Sequence, residues 1–587
     1  MNAANKNKEN PTFNWFVLKR IFQNVKAYKR IFISAFFLTI LISSLGIARP
    51  ILIKKILDDY ISTKDLYHIQ LFAGILLSTL IVEAFSQYRN AILTASLGQN
   101  IILDIRKRLF RHLLEFKHSF FDVTPVGILV TRSVSDVEAL ADVFSQGFIV
   151  IMGDILSLVV FLTAMFWVNW KLSIIVLFTL PLLFFATRIF QRGIKATFQK
   201  IRNLIASLNT FVQEHIQGMQ VIQLFGREKE EFEKFEKLNK EHLKTNIKSI
   251  WFYSIFLPVI EILSSLAIAL IILYSSLPIA NVKITPGEIT FFIILTSMLF
   301  RPLRMIADRL NTLQMGMVAA ERVFKLMDSN EKLHRGGSFS SPLKGKVEYH
   351  DIHFRYRDDH EILKGISFTI QPGEKIAIVG TTGAGKSTVI NLLGGYYAPN
   401  SGNILLDDVD IVNFKEGHLQ EQIAVVLQDV FLFSDTIRNN IMMYSDNISD
   451  SEMIEASKYI GAHEFITQLP GGYNFDVKER GTQLSAGQRQ MIAFLRAYLH
   501  RPAILVLDEA TSNIDTETEL LIQNATEKIT AGRTSIIIAH RLATIKNASK
   551  IMVMEHGRIV ETGTLDELVK KDGPFKLLYE QQFMTHK

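Results

Sequence analysis

Six long apolar stretches in the first 300 residues restrict the possible folds of this chain more than any other feature. They span residues 31–53, 69–85, 148–168, 172–190, 251–276 and 288–300. Most of them approach the ~20 residues that an α-helix needs to cross a ~30 Å hydrocarbon core. The mean hydropathy of the whole chain is +0.21, whereas soluble proteins usually lie below zero. We therefore predict six membrane-spanning helices rather than the buried core helices of a soluble protein.

Lysine and arginine are concentrated on one side of these predicted helices. They are frequent before residue 31 and in two long connections, from the second to the third stretch and from the fourth to the fifth. By the positive-inside rule, the N-terminus and both long connections lie in the cytoplasm, so the chain crosses the cell (inner) membrane several times. This topology accounts for the net charge of +7, and we expect no nucleic-acid partner. The absence of cysteine excludes disulfide scaffolds, cysteine-ligated metals and thiol nucleophiles.

The two cytoplasmic connections are about 60 residues each and follow the periodicity of amphipathic helices, as at 101–116 and 232–250. We expect the membrane helices to continue into them as long cytoplasmic extensions. Each extended pair of helices is predicted to end in a short turn, at residues 120–127 and 214–223. Phe121 in the first turn is a candidate anchor for a small contact made largely with a partner chain.

The composition of the chain changes at about residue 330, where glycines and serines indicate a linker. Beyond it, short β-rich runs alternate with helical patterns, which is typical of an α/β nucleotide-binding fold. We predict a cytoplasmic N-terminal segment at 1–30, a membrane α-helical bundle at 31–330, a linker at 331–345 and an α/β P-loop domain at 346–587.

Residues 380–388 read Gly-Thr-Thr-Gly-Ala-Gly-Lys-Ser-Thr and fit the phosphate-binding pattern G-x-x-x-x-G-K-[ST]. The pattern follows a strand-like run and precedes a helical one, which is the context that a P-loop requires. Glycines allow backbone N–H groups to wrap phosphates at a helix N-terminus. We predict that Lys386 neutralises the β- and γ-phosphates and that the Ser387 hydroxyl ligates Mg²⁺.

Two strand-like runs end in residues that suit hydrolysis. The apolar run 504–507 ends in Asp508 and Glu509, which predicts two carboxylates at the C-terminal end of a buried parallel strand. We assign Mg²⁺ binding to Asp508 and the role of general base, polarising the attacking water, to Glu509. The run 535–539 ends in His540, which we expect to contact the γ-phosphate.

Three further signals are weaker when taken singly. Gln428 closes the apolar run 423–427, again at a strand end. The polar turn 483–490 opens a helical pattern, and a helix N-terminus of small residues suits an anion. Tyr356 ends another strand-like run and could stack an adenine ring, or it could be an ordinary aromatic residue of the strand.

Together these motifs resemble one family closely, the ABC exporter half-transporters, in which six membrane helices are fused to one nucleotide-binding domain. The resemblance covers about residues 13–580 and rests on GTTGAGKST at 380–388, LSAGQ at 484–488, LVLDEATSNID at 505–515 and IIAHR at 537–541. In this family two nucleotide-binding domains sandwich two ATP molecules head to tail. The resemblance implies that Ser485 and Gly487 bind the γ-phosphate held by Lys386 of a second half-transporter.

The resemblance also implies ATP and Mg²⁺ as cofactors and a role for each matched residue. Gln428 matches the Q-loop residue, Asp515 the D-loop and Tyr356 the adenine-stacking position. The predicted catalytic residues are Glu509, His540 and Lys386, and the predicted metal ligands are Ser387, Gln428 and Asp508. The predicted ATP-binding residues are Tyr356, Gly380, Thr381, Thr382, Gly383, Ala384, Gly385, Lys386, Ser387, Thr388, Gln428, Ser485, Gly487, Gln488 and Asp515.

The chain departs from the family pattern at two places. Ala486 stands where the LSGGQ motif has glycine, which adds one methyl group and limits the access to positive φ; we expect function to survive this change. Residues 512–515 read Ser-Asn-Ile-Asp instead of the more frequent Ser-Ala-Leu-Asp, a variant similar to the catalytically intact half of some heterodimeric exporters. We expect a homodimer, with a heterodimer as the alternative.

The resemblance implies ATP-driven export of an amphipathic or hydrophobic substrate, drug-like or lipid, by alternating access. A lipid or glycolipid flippase of the same architecture is the alternative. An ATP-gated channel without a pumped substrate is a third possibility, against which the presence of both Glu509 and His540 argues, because gating needs ATP binding more than turnover. Glu83, Asp154 and Glu261 fall in or near the predicted spans, where they either bind cations or pair between helices.

Overall fold

The computed structural model of the protein describes residues 15–276, 284–332, 337–356, 360–415, 417–445, 447–508, 516–539 and 545–580. The chain divides into two compact units. The first, here called the helical unit, comprises the residues up to Leu114 together with Pro125–Asn330. The second, here called the α/β unit, comprises Glu115–Thr124 together with the residues from Glu331 onward. A short segment between two long helices therefore belongs, by its contacts, with the α/β unit.

The α-helices between residues 15 and 327 form the helical unit, except for one short helix that belongs to the α/β unit. They are α1 Trp15–Val25, α2 Lys29–Lys55, α3 Leu66–Leu114, α4 His118–Val123, α5 Val126–Thr131, α6 Val137–Asp142, α7 Ile149–Val168, α8 Trp170–Gln217, α9 Met219–Leu224, α10 Glu228–Ser276 and α11 Pro286–Met327. Helix α4 belongs to the α/β unit. Single π-helical stretches at Ile56–Ile61, Arg132–Asp136 and Val143–Phe148 continue α2, α5 and α6.

The helices that run into the two predicted connections are much longer than a bilayer is thick. Helices α3, α8 and α10 contain 49, 48 and 49 residues, which at about 1.5 Å per residue gives roughly 70 Å each. A hydrocarbon core of about 30 Å accounts for less than half of that length, so the predicted extensions beyond the membrane are present. The short helices α4 and α9 coincide with the two predicted turns.

Five helical segments of the described residues are long and apolar enough to cross a membrane. They are Trp15–Ile61, Leu66–Leu114, Val126–Val168, Trp170–Gln217 and Glu228–Ser276, and they contain five of the six predicted stretches. The sixth, at 288–300, lies in α11, which is not among the five. Its apolar run is short and is bounded by Glu288 and Arg301, so it falls below the length that spans a bilayer by composition alone. The prediction of six spans is therefore confirmed for five.

Helix α11 is nevertheless a central element of the helical unit. Phe291, Phe292, Leu295 and Leu299 on it are each 0% exposed, and they pack with residues of α7 and α8 such as Met165. These four side chains lie on one face of α11, so this face packs against the neighbouring helices.

The α/β unit contains two sheets. Its strands are β1 Val347–Phe354, β2 Leu363–Ile370, β3 Lys375–Gly380, β4 Ser401–Leu406, β5 Val409–Asp410, β6 Ile423–Val426, β7 Ile504–Asp508, β8 Thr534–Ile538, β9 Lys550–Glu555 and β10 Arg558–Gly563. The smaller sheet is antiparallel with the order β2-β1-β4-β5, and the larger has the order β10-β9-β3-β8-β7-β6. Only β10 is antiparallel to its neighbour in the larger sheet.

Helices cover the larger sheet, and its central strands are accordingly buried. They are α12 Lys386–Leu393, α13 His418–Gln422, α14 Ile437–Met442, α15 Asp450–Ile460, α16 His463–Gln468, α17 Ala486–Leu499, α18 Thr516–Thr530, α19 Leu565–Lys570 and α20 Pro574–Tyr579. Every residue of β8 and the first four of β7 are buried. A parallel sheet covered on both faces reads as continuous apolar runs, which is why the runs 504–507 and 535–539 were visible in the sequence.

The end of the predicted linker is attached to the α/β unit. Phe339 packs against Phe414 with the ring centroids 5.0 Å apart. The carboxylate of Asp407 accepts the backbone N–H of Lys344 and, at 2.8 Å, that of Lys346. These contacts order the chain where it enters β1.

Candidate functional site

The carboxyl ends of four parallel strands meet at one edge of the larger sheet. Asp508 at the end of β7 lies opposite Ile538 of β8, which in turn lies opposite Ile378 of β3. On the other side of β7, Leu507 lies opposite Val426 of β6. Because the strands are parallel and in register, the residues that follow them share this edge. Asp508, the P-loop and Gln428, which comes just after β6, therefore lie at this edge.

The P-loop itself has the conformation that its glycines allow. Gly385 has φ of +102° and is the N-cap residue of α12. Gly380 has φ of +152°, and a Cβ there would lie 2.1 Å from the carbonyl oxygen of Met554. Any larger residue at position 380 would be excluded by the backbone of β9. The loop therefore wraps around a point in front of the N-terminus of α12, where backbone N–H groups and the helix dipole favour an anion.

The Lys386 side chain folds back over this loop. Its Nζ donates hydrogen bonds to the carbonyl oxygens of Gly380 at 2.7 Å and Thr381 at 3.0 Å, and the residue is 8% exposed. Burial lowers the pKa of the Lys386 ammonium, and the nearby carboxylate of Asp508 opposes this shift. The cation is thus held at the centre of the loop, whereas Ser387, the next residue, is exposed.

Tyr356 lies beside the P-loop helix with its ring partly open to solvent. Its hydroxyl donates to Thr388 Oγ1 at 3.3 Å and accepts from Asn391 Nδ2 at 3.1 Å, both on α12. The ring makes an edge contact with Phe354, with the centroids 4.8 Å apart, and Tyr356 is 44% exposed. The side chain is therefore fixed at its polar end and presents an aromatic surface next to the phosphate loop, as stacking would require.

The turn before α17 is preorganised by its own hydrogen bonds. Ser485 and Gln488 form a reciprocal capping box, in which Ser485 Oγ accepts the N–H of Gln488 at 3.2 Å. Arg489 supports the turn by donating to the carbonyl oxygen of Leu484 at 2.6 Å. Ala486 is the first helical residue and is not among the residues with positive φ. The conformational restriction expected for this alanine therefore does not arise, because the position needs only helical backbone angles.

The structure brings some of the predicted site residues together and leaves others apart. The P-loop, Tyr356 and Asp508 converge at the sheet edge, whereas the described hydrogen bonds of Ser485 remain within its own turn. Gln428 is exposed just after β6. Glu509, Asp515 and His540 lie outside the described residues; the adjacent Asp508 and Ala539 are the last described residues before them.

Sequence reasoning missed a buried asparagine that ties the segment after Gln428 to α17. Asn440 is 1% exposed. Its Oδ1 accepts from the N–H of Phe433 at 2.8 Å, and its Nδ2 donates to the carbonyl oxygens of Phe433 and Thr436 at 2.9 and 3.0 Å. Arg496 of α17 donates to the carbonyl oxygen of Asn440 at 2.9 Å. The sequence contains little signal for this role, because Asn440 follows two other polar residues, Arg438 and Asn439, within α14.

Sequence reasoning also missed the residues through which helix α4 contacts the rest of the α/β unit. The ring centroid of His118 lies 5.4 Å from that of Tyr396 and 6.1 Å from that of Tyr397. The carboxylate of Asp122 accepts a hydrogen bond from the Tyr397 hydroxyl. The expected anchor, Phe121, is 37% exposed and makes an edge contact with Phe120. A docking contact of Phe121 with a second chain stays a prediction.

A cavity of about 1210 Å³ lies within the helical unit, between α2, α3, α6, α7 and α11. Of the acids Glu83, Asp154 and Glu261, the first two line this cavity, and their surroundings differ. Asp154 forms an ion pair with Arg309 of α11, as the pairing interpretation predicts, whereas Glu83 accepts a hydrogen bond from Gln87 at 3.0 Å. Glu261 is exposed and does not line the cavity.

Comparison with known protein families assigns both units. Residues 32–303 match the family described as ABC transporter transmembrane region, and residues 363–512 match the family described as ABC transporter. The two regions follow one another in a single chain, as the resemblance predicted.

Individual proteins match over nearly their whole length. An ATP-dependent lipid A-core flippase of Desulfotalea psychrophila is 35% identical, with 96% of this chain and 99% of that protein covered. A Staphylococcus aureus protein named for multidrug export is 34% identical, with 96% and 100% covered. The structure of a bacterial Atm1-family ABC exporter with ATP bound superposes with a TM-score of 0.76 at 26% identity, covering 94% of this chain and 98% of that one.

The order of the two regions, the identity over the full length and the shared fold lead to one assignment. The chain is a multi-pass membrane protein that belongs to the ABC transporter family, as an exporter half-transporter whose nucleotide-binding domain hydrolyses ATP to drive transport.

Proposed function

We propose that the protein exports an amphipathic substrate, drug-like or lipid, by alternating access, as one half of a dimer. The observation that carries this proposal is the cavity of about 1210 Å³ between the membrane helices of a chain that also has a formed P-loop. Pockets for drug-sized ligands measure about 300–1,000 Å³, so this cavity is large enough for a lipid headgroup or a drug.

At the nucleotide, the backbone of residues 380–385 and Lys386 Nζ bind the phosphates, and Tyr356 stacks on the adenine. Support comes from the position of Lys386 at the centre of the loop and from the exposed ring of Tyr356, held by Thr388 and Asn391. A buried ammonium is stable only with close acceptors, and phosphate oxygens are stronger acceptors than the two carbonyls that Lys386 contacts.

The donor set at the sheet edge fits Mg²⁺. The side chains of Ser387, Gln428 and Asp508 supply a hydroxyl, an amide and a carboxylate oxygen, and Mg²⁺ prefers hard oxygen ligands together with nucleotide phosphates. Ser387 and Gln428 are exposed at this edge. When bound, the ion neutralises phosphate charge, while these residues position the nucleotide. We assign the general-base role to Glu509 and contact with the γ-phosphate to His540, on the sequence pattern.

The second ATP-binding surface is the turn before α17 of another half-transporter. Ser485 Oγ accepts the N–H of Gln488, so its own hydroxyl hydrogen is oriented away from that bond and can be donated to an anion. Gly487, in the same turn, leaves space for the close approach of a γ-phosphate. We favour a homodimer, because this chain contains both the P-loop and the signature turn; a heterodimer is the alternative.

The membrane topology follows from charge. Lysine and arginine are frequent in the parts of α3, α8 and α10 that extend past the bilayer and sparse in the opposite turns. We place the N-terminus and the α/β unit in the cytoplasm and the chain in the cell (inner) membrane.

A lipid flippase is the second candidate function. It is favoured by the Desulfotalea psychrophila relative, which is named as an ATP-dependent lipid A-core flippase, and by the polar residues that line the cavity. In a flippase the headgroup crosses through such a polar cavity while the acyl chains stay in lipid.

The test uses the full-length protein in lipid nanodiscs. ATP hydrolysis is measured against a panel of hydrophobic drugs and lipids, and transport of each stimulating compound is then followed in proteoliposomes, with Glu509→Gln as the inactive control. Stimulation by amphiphiles with ATP-dependent movement of the same compounds supports export. Movement of labelled lipids alone supports the flippase, and ATP hydrolysis that no amphiphile changes contradicts both.

A further inference from the structure

We propose that the cavity of the helical unit binds a zwitterionic headgroup, with its anionic group at Arg49 and its cationic group at Glu83. The inference rests on the proposed function, since it names the chemical class of the substrate that the same cavity holds. It depends on two charged side chains that have no counter-ion among the described residues, in a place where charge is costly.

Polar residues face the cavity along two neighbouring helices. On α3 the lining residues recur at helical spacing, at Glu83, Gln87, Asn90 and Thr94. On α2 the corresponding stripe contains Thr39, Ser43 and Arg49. A polar face on two membrane helices is expensive in lipid and is retained where it lines a path for a polar group.

Arg49 is the first charge without a counter-ion. Its Nε is buried and has no hydrogen-bond acceptor, and among the described residues no carboxylate lies within ion-pair distance of its guanidinium. A buried donor without an acceptor is unfavourable, and more so when it is charged. The guanidinium fork is suited to a carboxylate or phosphate group of a ligand.

Glu83 is the second charged side chain of the cavity without a counter-ion among the described residues. Within the described part of the chain its carboxylate accepts one hydrogen bond, from Gln87 of the same helix, and forms no ion pair. Asn90, two turns further along α3, has a buried Oδ1 without a donor. The Glu83 carboxylate and the Asn90 amide oxygen lie on one helix face, and they suit a cationic group because it carries the charge opposite to that of Glu83.

The two charges lie at similar depth. Asn90 Nδ2 donates to Thr39 Oγ1 at 3.3 Å, which sets the register of α3 against α2. Arg49 lies ten residues from Thr39 and Glu83 seven residues from Asn90, both in the same direction, so at about 1.5 Å per residue their depths differ by only about 5 Å. One headgroup that carries an anion and a cation a few bonds apart can therefore contact both.

The other charges of the lining are paired, distant or of the same sign as Arg49. Asp154 is neutralised by Arg309. Glu138 and Asp142 belong to α6, beside Gly98 of α3, and Gly98 is roughly 22 Å from Glu83 along the helix. Arg301 of α11 adds a second cation to the lining. Glu83 is thus the acid available to a cationic group at this depth, and a purely cationic ligand would leave Arg49 without an anion.

The experiment compares three probes that share one dodecyl chain and differ only in charge: dodecylphosphocholine, dodecyltrimethylammonium and dodecyl phosphate. Binding to the full-length protein in nanodiscs is measured below the micellar concentration, alongside ATP hydrolysis. We expect the zwitterionic probe to bind the wild type about tenfold more tightly than either singly charged probe. Glu83→Gln should weaken the binding of the zwitterionic and cationic probes and leave that of the anionic probe unchanged. Arg49→Gln should weaken the binding of the zwitterionic and anionic probes and leave that of the cationic probe unchanged.

Two control variants each remove one charge of the same sign, negative or positive, at a position elsewhere in the helical unit. Glu261→Gln and Arg188→Gln change exposed residues outside the cavity, and both should keep the wild-type order of the probes. Phosphocholine without a chain separates two sources of the headgroup: competition at similar concentration indicates a small polar ligand, and no competition indicates a lipid.

Several results would overturn the proposal. These are a wild type that does not prefer the zwitterionic probe, single variants that weaken all three probes equally, or variants that keep the wild-type order. Equal loss with a lower melting temperature in both variants would identify a structural ion pair instead. Binding and ATP hydrolysis are separate readouts, so a headgroup preference without stimulated hydrolysis would refute export while leaving the headgroup site in place.

Discussion

The hydroxyl of Tyr397 donates a hydrogen bond to the carboxylate of Asp122, which lies on helix α4 between two long helices. Burial and this hydrogen bond raise the pKa of Tyr397, so the phenol remains a donor throughout the physiological range. The edge of the same ring meets Tyr356, with the centroids 5.0 Å apart. Three side chains thus connect the proposed adenine-binding surface to the tip of a membrane-helix extension.

The first prediction concerns this connection. Tyr397→Phe keeps the aromatic ring beside Tyr356 but removes the donor to Asp122. Basal ATP hydrolysis should stay close to that of the wild type, whereas its stimulation by a transported amphiphile should fall by at least about fivefold, which is the lower end of typical coupling energies. Stimulated and basal hydrolysis in nanodiscs measure the two quantities.

Tyr396→Phe is the matched control, because it removes the neighbouring hydroxyl and keeps the ring that contacts His118. It should retain stimulation. If Tyr397→Phe and Tyr396→Phe respond alike, the hydrogen bond to Asp122 has no role in coupling.

The second prediction separates ATP binding from hydrolysis. Lys386→Ala should weaken ATP binding, because it removes the cation at the centre of the P-loop. Glu509→Gln should retain binding and slow hydrolysis by about 10²–10⁴-fold, as loss of a general base does. Equilibrium binding of a labelled nucleotide and steady-state hydrolysis distinguish the two. Near-normal turnover of Glu509→Gln would rule out Glu509 as the base.

The third prediction tests whether two copies of this chain share a site. Lys386→Ala and Ser485→Ala should each be nearly inactive in a homodimer. When the two variants are coexpressed, half of the randomly formed dimers contain one intact composite site, so about one quarter of the wild-type activity should return. If neither variant recovers with the other but the wild type needs a different half-transporter for activity, the protein is a heterodimer subunit.

The fourth prediction concerns Asn440. Asn440→Ala removes three hydrogen bonds to backbone groups around α14. Leaving these groups without partners should lower the free energy of unfolding of the α/β unit by about 3 kcal/mol. Asn524→Ala, at an exposed position of α18, should change it by less than about 0.5 kcal/mol. Denaturation followed in the full-length protein compares them, and equal stabilities would show that the Asn440 network contributes nothing.

The fifth prediction is a pH dependence. His353 Nδ1 lies 2.7 Å from Glu361 and Nε2 lies 3.5 Å from Asp351, so both ring nitrogens face carboxylates and favour the imidazolium. The hydrogen bond to Glu361 raises the pKa of His353 above its ordinary value of 6.5. The contribution to stability is therefore complete below pH 6.5 and is lost as the pH rises through the higher folded-state pKa.

Melting temperatures of the wild type and His353→Gln should accordingly differ most at acidic pH and converge at alkaline pH. Glu361→Gln removes the negative charge that favours the imidazolium of His353 and should reproduce this pattern. A difference that grows with pH would contradict the assignment.

The sequence by itself determined which parts of the chain enter the membrane and where phosphate binds. Long apolar runs specify spanning helices because about 20 mostly apolar residues are needed to cross the hydrocarbon core as a helix. The P-loop was readable because its glycines have local backbone requirements, as at Gly380. The sixth span, 288–300, stays a prediction, because its apolar run is short; residues of α11 such as Phe291 are buried by packing.

Only the tertiary structure decided which charged residues have partners. In the sequence Glu83 and Asp154 look alike, yet Asp154 meets Arg309 of α11 and Glu83 meets no cation among the described residues. The bond from Tyr397 to Asp122 and the contacts of Asn440 also join distant parts of the chain. Local patterns of hydropathy carry no information about such pairs, because a side chain's partner depends on which surfaces of separate helices and strands come together in the folded protein.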